Sequence, residues 1–538
     1  MKGNVSKVRN FSISNRIKKE FGQLKRNIKQ TYVCPLLMPY VMMPVKGVKA
    51  VVEVACQFRD PIHGMIPLNA GELAIVDSEP FQRLRYIRQL GTSYLVYHGA
   101  EHTRFGHSIG VMFLVGRAMD VLKEKLPEQI DDWEYERLKQ IVKIAALLHD
   151  IGHAPFSHVG EEEDGLFPQL QDYDGELDYG HEVYSRLIVQ NCFKDVVEQN
   201  KYLRELDIDI ATVLSFMKGN VLEPKWFFAK ELISGQIDMD RMDYLLRDSY
   251  YCGVKYGEYD LHRLLDTLTI CPSPEGIWQL GIESDGVQAV EGFVFARYWM
   301  FIQVYFHKTR RILDYYLVNF LKECLPKGHY PTDVREYLEY TDNHILELMG
   351  AKAPRNLWAK RLLRRECLSE VFVSNPHQLM HEEDGFSDYH KLGWIDKVLR
   401  EKFPINSEPE NYYVDQAKTL AAKYQISPST FLSGETEEES KKLYAIPVKD
   451  KHTGTIKPVQ DYSLPIKNLS DLKINIIRVY ANKEHHVQED NVTAYEKVKQ
   501  YMETVDGEWQ KHVEEMKDLE KRYKEMQSEK EALSKRFQ

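Results

Sequence analysis

Four ionisable side chains fall within ten residues beside one apolar run. The segment AALLHDIGHAPFSH, residues 145–158, follows Ile144 and places His149 and Asp150 directly after Leu148, with His153 and His158 close behind. A lone buried histidine is usually a satisfied core residue. A buried carboxylate costs several kcal/mol unless it is paired or bound to a cation. A divalent metal answers both needs at once. On a helical reading His149 and His153 share a side, one turn apart, and Pro155 is expected to stop that helix before His158. Two ligands do not complete a site. HTRFGHS, 102–108, offers His102 and His107 at a loop-to-helix boundary, and SGQIDMDRMDYLLRD, 234–248, offers Asp238, Asp240, Asp243 and Asp248. Mixed imidazole and carboxylate donors suit Mn, Fe, Zn or Mg, and spacing alone does not choose among the aspartates.

These residues need elements to hold them. FQRLRYIRQL has apolar residues at 81, 84, 87 and 90, which predicts one helix face. A second helix is expected from Ser108 to Leu126 and a buried one from Ile141 to Ile151. The acidic, aperiodic stretch 161–180 reads as an inserted loop before a helix starting near His181. Further helical patterns cover 227–248, 287–323, 333–348 and 353–367. Residues 50–80 read as short strands joined by turns such as DPIHG and NAGE. Residues 430–490 mix proline, glycine and β-like runs such as INIIRVYA, 474–481. From 491 the chain changes again. Trp509, Val513, Met516, Leu519, Tyr523, Met526 and Leu533 recur at steps of three and four, with Lys530 at the skipped position. That pattern is either a coiled coil or a long helix laid on the body.

The expected fold class is therefore mainly α, with a smaller α+β C-terminal region and a long terminal helix. The expected divisions are a basic extension at 1–45, a helical core at 46–325, a mixed region at 326–490 and a charged helix at 491–538.

Composition narrows the function. The chain has 538 residues, 43% apolar and 28% charged, which suits a folded protein. It has no unbroken run of 18 apolar residues, so no membrane span is expected, and its start lacks an apolar signal core. Seven cysteines without a CxxC pair read as reduced thiols and a cytoplasmic location. A net charge of −10 argues against general nucleic-acid binding, but permits a local basic patch or an anionic small ligand. Residues 1–31 carry nine Lys or Arg and one acid, with Phe11, Ile13, Ile17, Phe21, Leu24 and Ile28 near helical spacing. They are either a basic amphipathic helix able to touch nucleic acid, membrane or an acidic partner, or a solvated tail.

The order His107, His149-Asp150, then an aspartate near 240 resembles the HD-domain metal-dependent phosphohydrolases. DPIHG, FQRLRYIRQLGTSYLVYHGAEHTRFGHSIGV, LLHDIGHAPFSH and SGQIDMDRMDYLLRDSYYCGV resemble, more closely, the deoxynucleoside triphosphate triphosphohydrolases, including the mammalian SAM-and-HD-domain enzyme. The likeness is firm over 50–325, weaker over 326–490 and not claimed at either end. No SAM domain is evident.

The resemblance implies a helical HD-domain core that hydrolyses deoxynucleoside triphosphates to deoxynucleoside and inorganic triphosphate. It implies metal ligation by His107, His149, Asp150 and Asp240, with one or more divalent ions. It places His153, His158 and His181 in a catalytic groove, His181 as general acid to the leaving 5′ oxygen. Where the family carries an aspartate that orients the equivalent of His158, this chain has Glu161. Arg104 and Arg241 would meet the triphosphate, Arg241 in place of a common lysine. Tyr244, Asp248, Arg297 and Tyr305 match sugar and phosphate contacts. Gln89 and Leu90 match residues at the sugar edge, where a bulky wall disfavours a 2′ hydroxyl.

The resemblance also implies a homo-oligomer, a tetramer in preference to a dimer, with a nucleotide activator site. Asp77, Gln82 and Arg85 match residues around its guanine. Cys56 and Arg59 stand where the mammalian enzyme has lysine and asparagine, so Arg59 would have to restore the lost charge. Arg478 matches a basic strand touching a second nucleotide. The alternatives are another HD-type nucleotide phosphohydrolase, or a nucleotide-sensing or nucleic-acid-binding scaffold.

Overall fold

A hairpin of β1 (Cys56–Asp60) and β2 (Gly64–Leu68) opens the described chain. Asp60 ends β1, and its Oδ1 accepts the N–H groups of Ile62 and His63 at 2.8 and 2.9 Å, which closes the DPIHG turn. The structure is a computed structural model that describes residues 54–536 apart from 162–164, 222, 380–387, 403–411, 421–445, 471 and 485–491. The basic stretch 1–31 and part of the 430–490 region lie outside the described residues.

The stretch FQRLRYIRQL is not one helix. Glu79–Gln82 makes a single α-turn, Arg83–Tyr86 a 3₁₀ turn, and Arg88 then bridges Thr103. Buried Asp342 accepts the Arg88 N–H at 3.0 Å, and the Gln89 N–H goes to the His102 carbonyl at 3.0 Å. These bonds take the backbone away from a helical ladder and put Gln89 and Leu90 on a loop.

The core helix α1 (Arg104–Lys123) begins four residues before the expected Ser108. Among the described residues it alone is long and apolar enough to cross a membrane, yet 72% of that window is buried inside the protein. It packs between α2 (Asp132–Leu148) and α4 (Met239–Cys252). The helix α2 ends at Leu148 rather than at Ile151. Gly152 explains the early stop: its N–H donates to Ser185 Oγ at 2.9 Å, and a Cβ there would collide with the backbone of His181 and Ser185. The chain leaves the helix to meet the first turn of α3 (His181–Cys192), well before Pro155. The insertion before α3 is not wholly a loop, since Leu170–Gln171 pairs with Leu177–Asp178.

The 227–248 pattern is two helices, Phe227–Ser234 and α4. Asp238 starts α4 by accepting the Arg241 N–H at 2.8 Å, a cap worth about 1 kcal/mol. Gly253, at φ +70°, ends it in the left-handed region that suits glycine. The 287–323 pattern is α5 (Val287–Met300), a π-helical turn at Phe301–Tyr305, and α6 (Lys308–Cys324). The 333–348 pattern divides into Val334–Leu338 and Asp342–Lys352, and the 353–367 pattern holds Leu357–Arg364.

Two four-stranded sheets follow. In one, Trp278–Glu283 pairs antiparallel with Leu268–Pro272 and parallel with Pro447–Lys449, so the late chain returns to the core. In the other, β4 (Leu472–Ala481) pairs antiparallel with β3 (Tyr412–Leu420) on one edge, and with Ser369–Val373 and His377–Leu379 on the other. The expected strand 474–481 falls inside β4. The last helix, α7 (Val505–Arg536), starts against Asp388–Lys402, with Lys391 and Asp506 paired at 2.6 Å. The protein is thus mainly helical, with a smaller mixed α+β C-terminal region and a long C-terminal helix.

Candidate active site

Three elements converge on one point. The first turns of α1 supply His107, the turn after α2 supplies His149 and Asp150, and the start of α4 supplies Asp240. His107 Nε2 lies 3.0 Å from Asp240 Oδ1 and 3.4 Å from Asp150 Oδ2, and His149 Nε2 lies 3.2 Å from Asp150 Oδ1 and 3.7 Å from Asp240 Oδ1. Nε2 of both histidines is buried without a hydrogen-bond partner. Two orphaned imidazole nitrogens facing two carboxylates are the donor set of a divalent cation, and these residues fit one. Burial lowers the His107 pKa, but Asp240, Asp243 and Asp150 outweigh it and raise it to about 10. Burial raises the Asp150 carboxyl, yet Arg104 and His149 hold it well below the usual range. The His107 shift reports the carboxylates gathered around it, and the Asp150 shift the cationic partners beside it.

The ligands are themselves held. His149 Nδ1 donates to the Ala146 carbonyl at 2.6 Å, which fixes Nε2 as the free donor atom. His107 Nδ1 donates to Asp243 Oδ2 at 2.7 Å. Asp243 also accepts from His63 Nε2 at 2.6 Å and from Arg247 at 2.8 and 2.9 Å, and Arg247 reaches Asp60 Oδ2 at 2.8 Å. Helical spacing explains the division of labour on α4. Asp240, Tyr244 and Asp248 recur every four residues and face the site, while Asp243 and Arg247 share the neighbouring stripe behind His107. Asp243 was among the four candidate aspartates. His63, Asp60 and Arg247 were missed, although a histidine inside DPIHG was a signal.

Gly110, one turn beyond His107, leaves room for that network. A Cβ there would collide with Asp243 Oδ1. Gly110→Ala is therefore expected to lower metal affinity 10–100-fold without removing a ligand. Metal titration followed by elemental analysis checks this, with Gly116→Ala, whose nearest neighbour is a lysine side chain, as the silent control.

A second cluster adjoins the first. Glu161 Oε2 accepts from His158 Nδ1 at 2.7 Å and Oε1 from His181 Nδ1 at 2.8 Å. His153 stacks on His181 with ring centroids 3.8 Å apart, and its Nε2 lies 3.1 Å from Asp150 Oδ1. These four residues also lie close enough to hold a cation. Their carboxylate is already bonded to two imidazoles, and among their fully buried nitrogens only His153 Nδ1 is left without a hydrogen-bond partner, so the first cluster fits a metal better. Burial, with Arg104 and His181 nearby, pulls His153 down to about 3, which keeps it neutral. Burial lowers His181 as well, but Glu161 outweighs this and raises it.

A cavity of ≈ 720 Å³ runs from the His158–Glu161 side of the second cluster to the C-terminal sheet, and neither the four donors of the first cluster nor His153 and His181 are among its lining residues. His158 and Glu161 line one end with Gln89, Leu90, Arg104, Tyr244, Asp248 and Tyr305, while β3 residues 412–418 form the far wall. Asp248 accepts from Tyr305 Oη and His102 Nε2, both at 2.8 Å. Arg104 pairs with Asp150 and donates Nε to Ser157 at 2.8 Å. Arg104 Nη2 and Gln89 Oε1 are buried without partners, as expected of groups reserved for a polar ligand. Arg241 and Arg297 are not among the lining residues. Arg241 is held by the Asp238 carboxylate and the Gly235 carbonyl, and Arg297 is buried over Phe301, 5.1 Å from its centroid.

Of the residues matched to an activator site, Arg59, Asp77 and Arg85 are exposed. Arg85 donates to Gln82 at 2.7 Å and lies 3.5 Å over the Phe105 ring. Arg478 stands in β4, paired with Glu370 at 3.1 Å.

Comparison with known proteins agrees with this arrangement. Residues 104–248 match the HD domain, and 259–390 match the HD associated region. The uncharacterised protein MJ1154 of Methanocaldococcus jannaschii is 33% identical over 387 residues, 69% of this chain and 74% of that one. The deoxynucleoside triphosphate triphosphohydrolase SAMHD1 of Gallus gallus is 29% identical over 435 residues, covering 71% and 68%. A crystal structure of a phosphohydrolase from Bacteroides thetaiotaomicron superposes with a TM-score of 0.57 at 26% identity, over 80% of this chain and all of the other.

Proposed function

The chain belongs to the HD-domain phosphohydrolases related to SAMHD1-like proteins, and from that premise we propose that it hydrolyses deoxynucleoside triphosphates to deoxynucleoside and inorganic triphosphate. The observation that carries this reading is one continuous cavity. It joins His158 and Glu161 to Arg104, Gln89, Leu90, Tyr244, Asp248 and Tyr305, and Arg104 pairs with Asp150 of the metal donors. A divalent cation among His107, His149, Asp150 and Asp240 supplies positive charge to a phosphoryl oxygen. Arg104 adds charge at the α-phosphate. His181, kept protonated by Glu161, gives its proton to the departing 5′ oxygen. Asp248 fixes Tyr305 against the sugar, and Leu90 leaves no space for a 2′ hydroxyl. Six cysteines among the described residues are unpaired, which supports a cytoplasmic setting. The assembly we propose is a tetramer.

Product chromatography with each deoxynucleotide tests the reading. Triphosphate with deoxynucleoside is expected, and diphosphate or monophosphate as the sole phosphorus product sinks it.

Activation by GTP or dGTP is expected to be weak. Cys56 offers a thiol where a lysine charge would be needed, and Arg85 is engaged with Gln82 and Phe105. The check is the hydrolysis rate of one non-guanine deoxynucleotide with and without GTP. A large obligatory activation abolished by Asp77→Ala contradicts the expectation.

A further inference from the structure

The projecting part of α7 repeats every 3.5 residues rather than every 3.6. Trp509, His512, Met516, Leu519, Tyr523, Met526, Lys530 and Leu533 follow one another at alternating steps of three and four. A repeat of this period keeps one seam turned toward a second helix along its whole length. The first two positions are used within the chain, where Trp509 and His512 pack on Trp394 with centroids 5.5 and 5.6 Å away. Farther along, the described part of the seam is half-buried at Met516 and exposed after it. Leu519, Tyr523 and Met526 are 56, 61 and 67% exposed. Scattered exposed apolar residues are ordinary, but a stripe in register marks an interaction surface.

We propose that this stripe pairs with the same stripe of a second copy of the chain, the two helices running antiparallel. The charges beside the seam identify the partner. Glu515, Arg522, Glu529 and Arg536 recur at every seventh position with alternating sign. Setting Tyr523 against the partner's Met526 aligns Met516 with the partner's Leu533. The same register sets Arg522 opposite the partner's Glu529 and Glu515 opposite the partner's Arg536. The two-fold axis repeats each pair, so all of these flanking pairs are opposite in sign. The same register sets Lys530 opposite the partner's Leu519. A parallel pair instead stacks Lys530 on Lys530 and brings Glu515 beside the partner's Glu520. The sequence is self-complementary in one direction only, which is the mark of an isologous contact.

The test is cross-linking of the full chain. Met516→Cys with Leu533→Cys in one chain is expected to give a covalent dimer on oxidation, above the wild-type background. The two positions are roughly 25 Å apart along one helix, too far to bond within a chain. Each single variant is expected to stay at background. Arg522→Glu added to the double variant should lower the yield roughly tenfold, by placing like charges at both symmetry-related pairs. Glu529→Arg added to that should restore it. Self-linking of Met516→Cys alone shows a parallel pair and overturns the proposal. Background yield from the double variant, or a charge swap that fails to rescue, overturns it equally.

Discussion

Asp150→Ala is expected to cost the protein both its metal and its turnover. Among the described residues, Asp150 is the only carboxylate within 3.4 Å of both orphaned imidazole nitrogens that also meets a buried arginine. Its loss leaves His107, His149 and Asp240, three donors with an open side. Lewis-acid stabilisation is worth several kcal/mol, and each 1.36 kcal/mol is tenfold in rate, so a loss of roughly 10³-fold or more is expected. The variant also strands the Arg104 guanidinium, which is 2% exposed as a residue, and breaking a buried pair costs about 3–5 kcal/mol of stability. Asp150→Asn keeps the shape and separates the two effects. It should melt closer to the wild type yet still lack metal and activity. Elemental analysis beside kinetics decides the matter: an Asp150→Asn protein with full metal content would show that the ligand set is wrong.

His181→Ala is expected to do the opposite, keeping the metal and losing about 10²–10⁴ in rate. Its Nδ1 is bonded to Glu161 and it touches none of the four donors at the metal centre directly. Glu161→Gln refines the argument. Glu161 raises the His181 pKa against burial, and a general acid works only while protonated, so activity is lost as pH rises through that pKa. Removing the carboxylate charge lowers the pKa, and the alkaline limb of the pH–rate profile should move to lower pH. A profile that keeps its alkaline limb in Glu161→Gln would remove His181 from the acid role.

What the sequence made legible was local. His149 and Asp150 stood out because charge was set against an apolar run, and the start of α3 at His181 and the seam of α7 followed from residue order and period. What escaped was decided by partners far along the chain. Nothing within 81–90 announces that Asp342 will take the Arg88 N–H and end the helical ladder. Nothing within 145–158 announces that Gly152 must meet the first turn of α3. His63 read as a turn residue because its partner, Asp243, lies 180 positions away. The far wall of the cavity was invisible for the same reason, since residues 412–418 carry no distinctive chemistry until Arg311 pairs with Asp415 at 2.7 Å.

That far wall sets a timetable for synthesis. All four donors of the metal centre have been synthesised once Asp240 is made, and the sequence of α4 is complete at Cys252. The strand β3, which walls the cavity, is bound along its length to β4, and β4 ends only at Ala481. At roughly 5–20 residues per second, the roughly 240 residues between Asp240 and Ala481 take about 12–50 s to appear. During that interval a nascent chain contains every donor of the cation site but not the strand pair that walls the cavity. Cation binding to the four donors can therefore precede completion of the cavity that adjoins them.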